Sequence, residues 1–219
     1  MDDTTTPAAA RPRTVGILIF PEVEILDFCG PFEVFASATQ PPESEGGPEQ
    51  RLFDVFTIAE RPEVVGCRGG LLVQPNHTLA DHPPLDLVVV PGGFGTRAQR
   101  ENPVVLDWIA RQRGAGALTT SVCTGAFLLG AAGLLDGLRA TTHWTTIDGL
   151  RALHAETDVL ADARVVDEGE IITSAGVSAG IDMALHVVSR LHGAEVARRT
   201  ARDMEYDWES EPDIGRQAS

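Results

Sequence analysis

Three thiols punctuate this chain, and only one of them, Cys123, stands where a thiol could react. It follows the apolar run GALTTSV (residues 116–122) and precedes Thr124-Gly125 and the small, apolar stretch AFLLGAAGLL. A strand feeding a turn that opens a helix places a side chain beside unpaired backbone N–H groups and the positive end of a helix dipole, both of which favour a thiolate. The strand-Cys-Thr-Gly-helix order also mimics a nucleophile elbow, in which a strained turn displays the reactive atom. The competing reading is that a free cysteine fills space in a core, and for Cys29 and Cys67, which lack this setting, packing or incidental exposure is expected.

Asp27 is the next candidate. It sits in ILDFC between Leu26 and Phe28, and a carboxyl in apolar surroundings holds its proton more tightly, as an acid catalyst must. An Asp before a helical run can equally be an N-cap, and the sequence leaves the two readings level. Pro91-Gly92-Gly93 closes another apolar run and lacks the Gly-Lys-Ser/Thr ending of a phosphate loop. Gly92 and Gly93 can bring backbone N–H groups close to a substrate and stabilise charge developing on it, or they can simply make a tight turn. His143 in ATTHW is either a base for Cys123 or a hydrogen-bonded structural residue; Trp144 reads as core. No CxxC or His/Cys cluster has metal-ligand spacing.

The elements that must hold these residues alternate. TVGILIF (14–20) is a buried strand ended by Pro21, and Gly30-Pro31 interrupts the next stretch, so a loop leading into a helix is expected there. LFDVFTIA (52–59) reads as a second strand and 64–73 as a hairpin around Gly69-Gly70. LDLVVVPGG (85–93) is the clearest strand, followed by a helix over 103–113 with Val104, Trp108 and Ile109 along one side. After the Cys123 unit come a short strand at LRATTHW, strands around Asp167-Glu168-Gly169, a long helix over 177–191 and a closing helix from Ala194. This order predicts an α/β fold, a doubly wound, flavodoxin-like, mostly parallel sheet with helices on both faces. In such sheets ligands collect beyond the carboxyl ends of the strands, where Asp27, Gly92-Gly93 and Cys123 all lie, provided their strands are neighbours.

The 219 residues suffice for one core. Residues 1–13 read as a disordered lead-in, 14–208 as the folded domain, 40–50 as an acidic surface loop and 209–219 as a polar tail. With 32 acidic residues against 17 basic ones, all Arg, the net charge of -15 opposes nucleic acid and anionic lipid. No apolar run reaches the roughly 18 to 20 residues of a membrane span, so a soluble protein is expected, and three irregularly spaced cysteines fit a reducing, cytoplasmic home; the expected partner is a small-molecule substrate.

GILIFPEVEILDFCGPFEVF, DLVVVPGGFGT, SVCTGAFLLGAAGLL, RATTHW and SAGVSAGIDMALHVV together resemble the ThiJ/PfpI superfamily, related to class I glutamine amidotransferase domains, from about Thr14 to about Trp208. The branch most resembled is that of the isonitrile hydratases, whose pattern puts an Asp in L-D-x-x-G-P-[FY]-E-V-F and a nucleophile in V-C-T-G. The resemblance implies a catalytic pair of Cys123 and Asp27, with Thr124 orienting substrate or water and adding its N–H to those of Gly92 and Gly93. It also implies a homodimer, and water addition to R–N≡C without metal or redox cofactor.

Peptidase-like branches carry His after the cysteine, where this chain has Thr124, and glyoxalase-like branches carry Glu where it has the shorter Asp27. A glyoxalase-like hydratase of small ketoaldehydes is one alternative. Similar domains also serve as sensing halves of AraC-type regulators. Only eleven residues follow Trp208 here, too few for a helix-turn-helix, which leaves a stand-alone ligand or redox sensor, with Cys123 oxidised, as the non-enzymatic alternative.

Overall fold

Leu87, Val88, Val89 and Val90 are each at most 1% exposed, which is why they form the middle of a sheet covered on both faces. The structure, a computed structural model, describes residues 11–40 and 49–208. Residues 1–10 of the expected lead-in, 41–48 of the acidic loop and the tail 209–219 lie outside the described residues.

Seven strands make the central sheet: β1 (Arg13–Leu18), β2 (Phe53–Ala59), β3 (His77–Thr78), β4 (Leu87–Val90), β5 (Leu118–Val122), β6 (Val165–Asp167) and β7 (Ile171–Ser174). Their order is β6-β7-β5-β4-β1-β2-β3, and every pair is parallel except β6 with β7. The chain moves outward from β1 through β2 to β3, then returns to β4 on the other side of β1. The reversal between β1 and β4 is the crevice where α/β sheets take ligands, and β5 adjoins it.

Seven helices follow in chain order: α1 (Ile25–Ser37), α2 (Thr96–Gln99), α3 (Pro103–Gly114), α4 (Ala126–Ala131), α5 (Ile147–Leu153), α6 (Ala179–His192) and α7 (Ala194–Asp203). α1, α6 and α7 pack on one another in one layer, and α2, α3 and α4 build the other, so the doubly wound expectation holds. The predicted hairpin forms as well, Val65–Gly66 pairing antiparallel with Leu72–Val73.

Local expectations needed three corrections. Gly30 and Pro31 do not precede the helix; α1 begins at Ile25 and runs through both. Packing decides this, because a Cβ on Gly30 would lie 2.9 Å from Ile181, and one on Gly180 would lie 3.4 Å from the Pro31 ring. Glycine and proline here let α1 and α6 approach, and that contact outweighs one missing backbone hydrogen bond. In α3 the buried side is Val105, Trp108 and Ile109, while Val104 is half exposed. The side chain of Asn102 caps the helix by accepting from Val104 N–H at 3.1 Å, which sets Val104 in the first turn facing outward. Trp144 is 77% exposed rather than core, carried out of the interior by the single-turn helix Trp144–Thr146.

Candidate active site

β5 delivers Cys123 into a conformation that side chains rarely adopt. Its φ is 56°, in the left-handed region, and a non-glycine residue persists there only when its surroundings hold it. They do so from two sides: Cys123 N–H donates to Ala175 C=O at 3.2 Å, and the Thr142 hydroxyl donates to Cys123 C=O at 2.8 Å. Gly125 completes the turn, since a Cβ there would sit 2.0 Å from the Val90 carbonyl oxygen. The elbow predicted for this position is present.

The strands after which Asp27, Gly92-Gly93 and Cys123 fall are β1, β4 and β5, three neighbours, so the fold brings all three together. Asp27 is fully buried. It is the third residue of α1 and not its N-cap, which is Glu24, so the capping alternative falls. Its Oδ2 accepts the Gly92 N–H at 2.9 Å, and its Oδ1 is buried without a strict hydrogen-bond partner. The carboxyl faces the Cys123 thiol closely enough that each group shifts the titration of the other.

The direction of those shifts divides the expectations. Burial, helped by the nearby charge of Glu24 and opposed by the Gly92 N–H, raises Asp27 to about 7, as its apolar flanks predict. Burial also raises Cys123 to about 12, and Asp27 adds to the rise. That reverses the expected low-pKa thiolate. The N–H and hydroxyl of Thr124 favour the anion, but a six-residue helix and one adjacent turn do not offset desolvation beside a carboxylate. Cys123 therefore rests as a thiol, and the two groups titrate as a coupled pair.

Gly92 and Gly93 also have other duties than the one expected. The Gly92 N–H is committed to Asp27 and the Gly93 N–H donates to Thr124 Oγ1 at 3.0 Å, so neither amide is free for a substrate anion. Gly92 lies so close to its neighbours that a Cβ would meet Thr124 N and Oγ1 at 2.6 Å and Asp27 Oδ2 at 2.9 Å. The Thr124 hydroxyl is held in turn by Thr96, whose Oγ1 donates to it at 3.3 Å and to Gly93 C=O at 2.8 Å.

A cavity of about 140 Å³ adjoins this turn, lined by Cys123, Thr124, Gly93, His143, Thr145, Thr146 and Val177 together with Glu24, Arg68, Phe94 and Arg97. Cys123 is buried, 7% exposed, and forms part of the cavity wall. His143 forms part of the wall, but its Nδ1 is engaged by the Thr145 hydroxyl at 2.8 Å, and among the described residues no hydrogen bond joins its ring to the sulfur. Its ring packs over Gly176, where a Cβ would come within 2.0 Å, which fits the structural reading of this residue.

Glu24, Arg68, Phe94 and Arg97 escaped the sequence reading. Arg68 arrives from the hairpin because Arg68 N–H donates to Val23 C=O and Glu22 N–H to Gly66 C=O, contacts that no local pattern announces. A larger cavity of about 410 Å³ lies at the amino ends of β1 and β2, between Arg11, Arg13, Arg51, Asp86 and His192, and holds no nucleophile. No group of His, Cys, Asp and Glu able to hold a metal occurs among the described residues, and none of their helices is long and apolar enough to cross a membrane.

The family model described as DJ-1/PfpI matches residues 13–190. The chain is 38% identical over 192 residues to the isonitrile hydratase of Pseudomonas putida, covering 88% of this chain and 78% of that protein. It is 28% identical over 193 residues to the HTH-type transcriptional regulator GbdR of Pseudomonas aeruginosa, covering 87% of this chain and 50% of the regulator. Among solved structures, a ThiJ/PfpI family protein from Pseudomonas syringae aligns with a TM-score of 0.78 at 30% identity, over 95% of this chain and 79% of that one.

Proposed function

This chain belongs to the DJ-1/PfpI family, and on that premise we propose that it is a cysteine-dependent hydro-lyase that hydrates an isonitrile to an N-substituted formamide. The observation that carries this reading is the buried carboxyl of Asp27, raised to about 7, set against a strained Cys123 that lines a cavity. A carboxylic acid still partly protonated near neutral pH can deliver and retrieve protons in one turnover, which is what water addition to R–N≡C demands. The similarity to an isonitrile hydratase supports the same reading.

Asp27 gives its proton to the terminal carbon of the isonitrile as the Cys123 sulfur bonds to that carbon, and the thiol proton passes to the carboxylate left behind. The product is a thioimidate, R–N=CH–S–Cys123. Water then adds to the carbon while Asp27 protonates the nitrogen and takes the water's released proton. Collapse of R–NH–CH(OH)–S breaks the C–S bond, leaves R–NH–CHO, and returns the hydroxyl proton through Asp27 to the sulfur. Each proton lent is recovered, so the carboxyl ends as it began. Because the high thiol pKa disfavours a free thiolate, the acid step has to accompany sulfur attack rather than follow it. With the Gly92 and Gly93 amides occupied, the Thr124 N–H beside the sulfur is the donor left for charge formed during collapse.

Formamide release from cyclohexyl isonitrile, followed by chromatography, tests the reading. Cys123→Ala and Asp27→Asn should each lower turnover by roughly a thousandfold or more, and the double variant should lose little beyond either single one, as groups acting as a unit do. Near wild-type rates in either single variant would remove this mechanism. Absence of formamide from the wild type with both neutral and anionic isonitriles would move the reading to ligand sensing, the role that the similarity to a transcriptional regulator suggests.

A further inference from the structure

The wall of the Cys123 cavity includes two arginines, more cationic surface than a neutral hydrocarbon isonitrile requires. Arg68 and Arg97 both set their guanidinium groups over the ring of Phe94, at 4.5 and 5.0 Å from its centre. Two cations sharing one aromatic ring repel each other unless anions compensate them. Glu24 compensates one of them, accepting from Arg68 Nη1 at 2.9 Å. Among the described residues, the Arg97 guanidinium has no hydrogen bond or ion pair, and its only contact of this kind is with Phe94.

Arg97 is nonetheless well placed. The residue before it, Thr96, is 4% exposed and hydrogen-bonded to both Gly93 and Thr124, so the backbone that carries Arg97 is tied to the turn that carries the nucleophile. The contact with Phe94 holds the Arg97 guanidinium at the cavity wall, where its N–H groups have no hydrogen-bond partner among the described residues. A planar fork of that kind matches a carboxylate, which it can hold by two parallel hydrogen bonds. The molecule as a whole bears a net charge of -15 and repels anions at long range, so an anionic substrate would depend on this local cation.

Resting on the hydratase reading, we propose that Arg97 is a specificity residue: it receives the carboxylate of an isocyano-carboxylate whose N≡C end reaches Cys123, making short anionic isonitriles the preferred substrate class. Isocyanoacetate and methyl isocyanoacetate isolate this property, because they share the reacting group and differ in one charge. Wild-type kcat/KM should favour the acid over the ester by roughly tenfold, the size expected of a charge-assisted contact at a partly exposed site. In Arg97→Met that ratio should fall to near one, and Arg97→Lys should restore part of it. A wild type that prefers the ester, or a ratio that Arg97→Met leaves intact, overturns the proposal. Calorimetric binding of N-formylglycine, the product of the acid, supplies an arm independent of turnover. If neither isonitrile is hydrated but N-formylglycine binds and Arg97→Met abolishes the binding, the hydratase reading falls and the carboxylate site stands. If N-formylglycine binds no better than its methyl ester, the site itself is refuted.

Discussion

Two carboxylates in this protein have been treated in opposite ways. Asp167, at the end of β6, accepts from His186 Nε2 at 2.7 Å, from Arg190 Nη1 at 3.1 Å and from the Gly169 N–H at 2.8 Å, and these partners hold it below the usual carboxylate range although burial works against them. Asp27, more deeply buried, has one N–H donor and no cation, and burial lifts it to about 7. The sheet edge compensates its buried charge fully; the turn at the centre of the sheet leaves its own uncompensated. Stability alone would favour the first arrangement everywhere. Leaving Asp27 short of partners produces a group that changes its proton near neutral pH, so the contrast separates a residue arranged for stability from one arranged for chemistry.

Stability against pH should expose this difference with the largest effect. An unfolded Asp titrates near 4, whereas folded Asp27 titrates at about 7. Between those values the folded chain holds a proton that the unfolded chain releases, so Asp27 makes stability fall as pH rises through this window, by about 4 kcal/mol if the whole shift is expressed. Asp167 has the opposite sign: its contribution is present above the unfolded pKa and disappears as pH drops through its lowered folded value. Urea unfolding between pH 3 and 9 should therefore show Asp27→Asn more stable than wild type at pH 8 and level with it near pH 4. Asp167→Asn should be less stable at pH 8, with its deficit closing in acid. A destabilised Asp27→Asn at pH 8 would mean that the carboxylate is better compensated than its contacts indicate.

The glycines beside the two carboxylates give the next effect in size. Gly92 donates to Asp27 with a crowded position where a Cβ would be, while Gly169 donates to Asp167 with open space at the corresponding point and a φ of 84°. Gly92→Ala must push Thr124 away from Asp27 and should cost about 1–3 kcal/mol as overpacking, together with at least a hundredfold in formamide release. Gly169→Ala meets only backbone strain, about 1 kcal/mol. Comparable losses of stability and activity from both variants would show that the crowding around Gly92 is not what sets the pair's geometry.

How far the sequence revealed this arrangement depends on whether a feature is local. The run Leu87–Val90 and the order of apolar and small residues around Cys123 were readable, because a strand buried on both faces and a strand-to-helix elbow each leave a pattern within a dozen residues. The start of α1 was not, since Gly30 and Pro31 argue against a helix locally and only the approach of Ile181 and Gly180 reverses that. The thiol's direction of titration was misread for a related reason: the elbow predicts nearby N–H groups, but desolvation and the carboxyl of Asp27 arrive from other elements. Arg68 belongs to the same class, since it reaches Phe94 only because the hairpin folds back on the segment before α1, whereas Arg97 meets Phe94 from three residues away in the same segment.

The smallest effect tests whether Thr124 serves the chemistry or the turn. Its hydroxyl accepts the Gly93 N–H at 3.0 Å and the Thr96 hydroxyl at 3.3 Å, so the side chain links the β4 loop to the elbow. Thr124→Val preserves shape but strands the Gly93 N–H, which should cost about 1–3 kcal/mol. Thr124→Ser keeps the acceptor and should cost less than half as much. If the hydroxyl only holds the loop, activity in the two variants should track stability, and wild-type turnover should return in Thr124→Val wherever the protein is fully folded. If it also orients water, Thr124→Val should lose roughly tenfold or more in kcat under those same folded conditions, with Thr124→Ser retaining most of it. Measuring kcat beside the unfolding curve decides between them, because a loop contact and a proton-relay contact predict the same stability and different turnover.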